Sequence, residues 1–351
     1  MTLQKPSRRQ RSGPTINDVA DHAGVSPMTV SRVINGGQTV RLATRERVQA
    51  AIAELNYAPS PAARTLAGGE ETRIALLYSN PSAFYLSEFL MGSLDQASRL
   101  NVLLAVEKFS DDMTINNLVS HLKRGQVVGI VLPSPLSDSD EMIEALQAAD
   151  ICTVAVAAGK ERQGVPTVSI DDQAAAGEMT RHLLSLGHRR IGFIKGNPDL
   201  LASHARFLGY QAALADAGVP FDPDLVAQGY FTYRSGRDAA DRILDQAFPP
   251  TAIFASNDDM AAATVAIAHG RGLDVPSDLT VCGFDDTQLA TTIWPELTTI
   301  RQPISDMARN AVDLLVRQIR NHQADDAVRH IQLDYQLVRR QSDAPPRRSR
   351  T

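Results

Sequence analysis

Met28, Ser31 and Arg32 are left facing outward when the apolar residues of TINDVADHAGVSPMTVSRVIN, residues 15–35, are set aside. Their chemistry is that of recognition. The guanidinium fork of Arg32 can bond guanine O6 and N7 together, worth about 1–3 kcal/mol of discrimination; it can also clamp a phosphate. Met28 offers apolar contact, to a thymine methyl or to its own module. Catalysis is harder to build. A hydrolase needs two carboxylates held across a scissile bond with separated pKa values, whereas Asp171 and Asp285 belong to different strand ends. No nucleophile elbow, P-loop or GxGxxG is present. Cys152 and Cys282 sit inside the apolar runs ICTVAVA and LTVCGF and read as core thiols. We expect no catalytic residue, no metal and no cofactor.

The outward residues need two short helices to hold them. Thr15 stands as an N-cap before Ile16, with Asp18 placed to close a capping box. Ser26-Pro27 is a second start, because proline suits the first helical position. Ala23-Gly24-Val25 is the turn between them, and Ile16, Val19, Ala20, Ala23, Val25, Val30 and Val33 supply a small core. Two helices joined by a tight glycine turn are a helix-turn-helix, whose second helix can lie in the DNA major groove. A third helix is expected over 44–57, with Val48, Ala51, Ile52 and Leu55 on one face. PAARTLAGG follows as a short helical stretch and linker, below the ~12–15 residues at which an isolated helix becomes stable. Residues 1–70 carry nine Lys and Arg against five acids, a balance of +4 in a chain of −5, which leaves −9 for the remainder. A basic end on an acidic body places polyanion binding at that end, with a merely solvated charge run as the alternative for Arg8, Arg9 and Arg11. No apolar stretch reads as a signal or membrane span, which favours a cytoplasmic protein without a membrane partner.

From Arg73 the pattern changes. RIALLYS, NVLLAVE, VVGIVLP and ICTVAVA alternate with helical segments; a second series begins at TVSIDD and runs through RIGFIKG, LVAQGY, TAIFASN and LTVCGFDD. Near-continuous apolar strands alternating with helices imply parallel sheets covered on both faces. About five strands in each half argue for two doubly wound lobes. Ligands bind at the carboxyl ends of such strands, so the cleft between lobes is the expected site.

The motifs DVADHAGVSPMTVSRVIN, TRERVQAAIAELNYAPSPAARTLA, LGHRRIGFI, SHARFLGYQAAL, FASNDDMAAA, VCGFDD and LTTIRQP follow one another along almost the whole chain. In them the chain resembles the LacI/GalR family of bacterial transcription regulators. The resemblance implies an all-α helix-turn-helix headpiece and an α/β body like a periplasmic binding protein. It implies a homodimer reading a near-palindromic double-stranded operator, and a small effector, a carbohydrate, in the cleft. Pro27, Met28, Ser31 and Arg32 would face bases, while Thr15, Ser26, Thr29 and Asn35 cap helices or touch phosphates. Leu66 would wedge into the minor groove with its dimer mate, unstacking a base step, and Ala63 beside Ala62 is small enough for close approach. Asn80, Tyr85, Asp171, Arg206, Asn257 and Asp285 fall at pocket positions and Phe231 at an aromatic wall; Asp172 is an alternative to Asp171. Arg206 suits a sugar hydroxyl, and equally a carboxylate or phosphate. Arg41 departs from the family's small polar cap on the third helix, leaving Thr39 or Thr44 as cap, or Arg41 to a phosphate.

The expected layout is a basic disordered leader (1–14), the headpiece (15–58), a hinge helix and linker (59–70), the body (71–343) and a disordered tail (344–351). Within the body the N-lobe covers about 71–170 and 301–325, and the C-lobe about 171–300 and 326–343. Two rivals are a helix-turn-helix fused to a sugar-modifying enzyme and a non-regulatory sugar-binding protein. Arg32→Ala is expected to abolish operator discrimination while leaving the body folded, and unchanged discrimination in a binding titration removes Arg32 from base reading. Leu66→Ala is expected to weaken specific binding more than non-specific binding; equal losses on both DNAs refute the wedge.

Overall fold

The computed structural model describes residues 14–34, 40–55, 57, 72–79, 81–110, 112–159, 162–320 and 330–347. The chain divides into two compact units, Met1–Glu71 and Thr72–Thr351.

In the first unit, α1 (Ile16–Ala23) opens on the expected capping box: Asp18 N donates to Thr15 Oγ1 and Thr15 N donates to Asp18 Oδ2 at 2.6 Å. It ends on Gly24 at φ 62°, a left-handed position that glycine takes without a Cβ clash. The helix α2 (Pro27–Ile34) starts on Ser26, whose carbonyl accepts from Thr29 N at 2.8 Å. The third helix, α3 (Leu42–Glu54), begins and ends earlier than expected, and Arg41 holds its N-cap position with no side-chain cap bond. Thr44 lies inside the helix, so it is not the cap. Val19, Ala20, Ala23, Val30, Val33, Val48, Ala51 and Tyr57 form the buried core.

The second unit holds two six-stranded sheets. The first comprises β1 (Arg73–Tyr78), β2 (Leu103–Lys108), β3 (Gly129–Pro133), β4 (Cys152–Val156), β5 (Thr167–Ser169) and β11 (His330–Gln332), ordered β11-β5-β4-β3-β1-β2 and parallel throughout. The second comprises β6 (Ile191–Lys195), β7 (Val226–Gln228), β8 (Ala252–Ala255), β9 (Thr280–Asp285), β10 (Thr298–Arg301) and β12 (Gln336–Val338), ordered β12-β10-β9-β8-β6-β7. Only β12 runs antiparallel. Helices follow the strands: α4 (Ala83–Arg99), α5 (Ile115–Arg124), α6 (Asp140–Ala148), α7 (Asp172–Ser185), α8 (Leu201–Asp216), α9 (Tyr233–Leu244), α10 (Asp258–Gly270), α11 (Gln288–Thr292) and α12 (Ile304–Arg320). The two doubly wound lobes are therefore present.

Three expectations are corrected. The TVS of TVSIDD pairs with β4 in the first sheet, in line with the N-lobe bound at 170 but not with a second series beginning at TVSIDD; that series starts only with α7. His330–Gln332 also belongs to the first sheet, so the last crossing falls after Gln332 instead of at 325. Residues 344–347 of the expected tail are held against the body: Ala344 N donates to Thr280 Oγ1 at 3.0 Å, Ala344 O accepts from His188, and Arg347 pairs with Asp278.

A close helix approach in the second lobe positions the site. A Cβ added to Gly209 of α8 would lie 2.1 Å from Gln173 O and 2.9 Å from Gly177 N of α7. The two backbones therefore touch, and they bring Arg206 on α8 to Asp172 on α7. Gly209→Ala forces them apart; overpacking of this kind costs about 1–3 kcal/mol. A lowered melting temperature is expected, and an unchanged one means that the helices separate freely.

Candidate functional site

Five of the residues expected in the pocket meet in one cavity between the lobes. Tyr85 from α4, Arg206 from α8, Phe231 before α9, Asn257 at the start of α10 and Asp285 at the end of β9 line it. Arg206 is its centre and is almost wholly buried. Its Nε donates to Asp172 Oδ1 at 2.7 Å and its Nη1 to Ser256 O at 2.6 Å, with Asp285 Oδ1 3.6 Å away. The guanidinium lies 3.6 Å from the centre of the Phe284 ring and 5.7 Å from that of Phe231, within cation–π range. A buried cation is tolerated only when paired and hydrogen-bonded, and here both conditions are met.

The acids respond to the same burial. Burial pushes the Asp285 carboxyl up to about 7, against the pull of Arg206 and of the Gln302 amide that donates to it at 2.6 Å. Burial likewise raises Asp172, opposed by Arg206. The Tyr85 phenol is driven well above its ordinary value, mainly by burial, so it stays a neutral donor. Phe231 sits at φ 59°, and its strained backbone is held by Asn257 Nδ2 donating to its carbonyl at 3.1 Å. Gly196 makes room for the ring, since a Cβ there would lie 2.0 Å from it. Asn257 also caps α10, its Oδ1 accepting from Met260 N at 3.0 Å.

Asp171 is not brought into this group. It is exposed and caps α7 by accepting from Ala174 N at 2.8 Å, while its neighbour Asp172 turns inward to Arg206. Asn80 lies outside the described residues. Sequence reasoning missed Ser82, Ser134, Ala157 and Gln302, which also line the cavity. Ser134, Ala157 and Gln302 each follow the last residue of a strand, so the strand-end rule reaches them. Ser82 is found by its helix start, for it caps α4. The cavity holds about 40 Å³, room for a few water molecules.

In the headpiece Pro27, Met28 and Arg32 are exposed on α2, Met28 to 65%, and Ser31 is half-buried. Thr15 is used in the α1 cap, and the Ser26 and Thr29 hydroxyls bond each other at 2.9 Å at the start of α2. Asn35, Ala63 and Leu66 lie outside the described residues. No helix among the described residues is long and apolar enough to cross a membrane.

Comparison with known proteins agrees with the fold of both units. The pattern of the bacterial regulatory proteins of the lacI family matches residues 15–60, and that of a periplasmic binding protein-like domain matches residues 180–342. Catabolite control protein A of Priestia megaterium is 34% identical over 331 residues, covering 93% of this chain and 98% of that protein. A structure described as a complex of the transcriptional regulator CelR with cellobiose superposes with a TM-score of 0.70 at 32% identity, covering 94% of this chain and 99% of that one. The lac repressor dimer bound to operator and the anti-inducer ONPF superposes with a TM-score of 0.74 at 28% identity, covering 95% and 100%. The chain belongs to the LacI family of bacterial DNA-binding transcriptional regulators and is not an enzyme.

Proposed function

We propose that this chain is a cytoplasmic repressor that binds a near-palindromic operator as a homodimer and is switched by a neutral sugar or sugar derivative in the interlobe cleft. The carrying observation is the compensated state of Arg206. Its guanidinium already faces two carboxylates and a carbonyl oxygen, so a carboxylate or phosphate ligand would enter a site whose positive charge is spent. A neutral polyol suits it better: hydroxyls both donate and accept, and the ring of Phe231 offers a flat apolar face. The related CelR structure holds cellobiose, and the lac repressor structure is a dimer on its operator. Two headpieces related by a two-fold axis match two half-sites, which favours the symmetric dimer.

Thr15, Ser26 and Thr29 cap the two helices that present the reading face, Asn35 touches a phosphate, and Pro27, Met28, Ser31 and Arg32 read the groove. Ala63 and Leu66 join the two copies at the operator centre. Effector and operator are then linked by a coupling free energy, typically about 1–3 kcal/mol, and each must alter the affinity of the other by the same factor. A thermal-melting screen of mono- and disaccharides, cellobiose among them, tests the reading, followed by operator binding with any hit. Arg206→Ala is expected to remove the melting shift that a hit gives the native protein. A shift that survives the substitution clears Arg206 of a pocket role, and hits confined to anionic compounds overturn the neutral-sugar assignment.

A further inference from the structure

The helix that carries Arg206 begins without a cap of its own. Leu200 stands at the N-cap position of α8, no side chain there accepts a bond, and the first turn holds no acid. The acceptor comes from the other lobe. Asp138 ends the short 3₁₀ turn Leu136–Asp138 that follows β3; its Oδ2 accepts from Leu201 N at 3.3 Å and its Oδ1 from Gly159 N at 3.0 Å. The turn is braced by Arg162, which donates to Ser137 O and Asp138 O at 2.7 Å each and to Asp140 Oδ1 at 2.9 Å. Leu201 is seated against Gly159, where any Cβ would come within 2.0 Å of its own. The contact therefore has a built notch as well as a charge.

We propose that Asp138 is a positioning residue of the cleft, capping from the opposite lobe the helix that carries Arg206, so that this helix start is satisfied only while the lobes are together. A carboxylate at a helix N-terminus is favoured both as acceptor and by the helix dipole. A second bridge supports closure: Ser82 Oγ of the first lobe donates to Asp259 Oδ2 of the second at 2.7 Å. Both bridges border the cavity, which Ser82 and Leu200 line. Anything too large for the closed cavity enters by breaking the cap and leaves α8 to be recapped as the lobes return. The cap thus biases the free body toward closure and restores the helix when it closes. The consequence for an effector rests on reading the cleft as the effector site; the capping does not.

Amide hydrogen exchange and small-angle scattering on the full chain without ligand test it. In Asp138→Ala the amides at the start of α8 are expected to exchange roughly 3–30-fold faster, the range that loss of an N-cap implies. Exchange in β6 and α10 of the same lobe is expected to stay unchanged, and the radius of gyration to rise. Asp138→Asn, whose single amide oxygen can accept from Leu201 N or from Gly159 N but not from both, is expected to accelerate exchange less than Asp138→Ala. Gly159→Val leaves the carboxylate in place but displaces Leu201; it is expected to give the same two changes, and it serves if Asp138→Ala does not fold. Unchanged exchange at the start of α8 in both variants, or acceleration spread across the whole lobe, overturns the proposal. Because no ligand enters this experiment, its failure leaves the effector reading standing, and an empty sugar screen leaves the cap standing.

Discussion

A guanidinium sealed inside a protein imposes conditions on everything around it, and Arg206 imposes them on the second lobe. Stripping a charge of water costs several kcal/mol, recovered only through well-placed partners. Those partners come from separate parts of the chain: the first residue of α7, the carbonyl after β8, the carboxylate closing β9 and the Phe284 ring. Each strand end must therefore arrive in register with the others, which the parallel β8–β9 pairing secures. The close passage of α7 and α8 at Gly177 and Gly209 secures the remaining partner. One buried cation thus ties the helix layer to the sheet, and the polar character of the cleft follows from that arrangement.

What was legible in the sequence was local. The capping box of Thr15 and Asp18, the left-handed Gly24 and the Ser26 start depend on residues a few positions apart, and the structure shows each. The lobes were legible as well, because buried parallel strands write themselves as apolar runs. Membership of a sheet was not. TVS reads as a strand wherever it goes, and only its pairing with β4 assigns it to the first lobe. Asp171 and Asp172 show the same limit at one position. Both are acids at a helix start; which one faces solvent depends on how α7 is turned against α8, a contact between distant segments. The interlobe bonds of Asp138 and Ser82 were invisible for the same reason, since their partners lie in the other lobe.

The headpiece and the body also differ in what their polar groups have left to offer. On α2 the hydroxyls of Ser26 and Thr29 are taken up in starting the helix, while Met28 and Arg32 remain exposed. In the cleft nearly every polar atom named has an internal partner already. Asn257 caps a helix and holds Phe231, and Gln302 serves Asp285. Recognition by an exposed side chain requires only that a partner arrive; recognition in the cleft requires an exchange of bonds. The network in the cleft is nearly complete, with the buried Ser134 Oγ left without a partner, so a poorly fitting ligand there would leave further buried groups unpaired at about 1–3 kcal/mol each.

The chain passes between the lobes next to Ser169, Arg301 and Gln332, and these passages lie side by side. Gln332 is in register with Ser169, Arg301 with Gln336, and Leu333 N donates to Ser169 O at 2.8 Å. A single connecting strand would act as a swivel, free to turn about several axes. Three ribbons laid edge to edge behave as a leaf spring: stiff against twist and sideways shear, compliant in one direction of bending. Bending that changes the angle between the lobes is therefore the motion this connection opposes least.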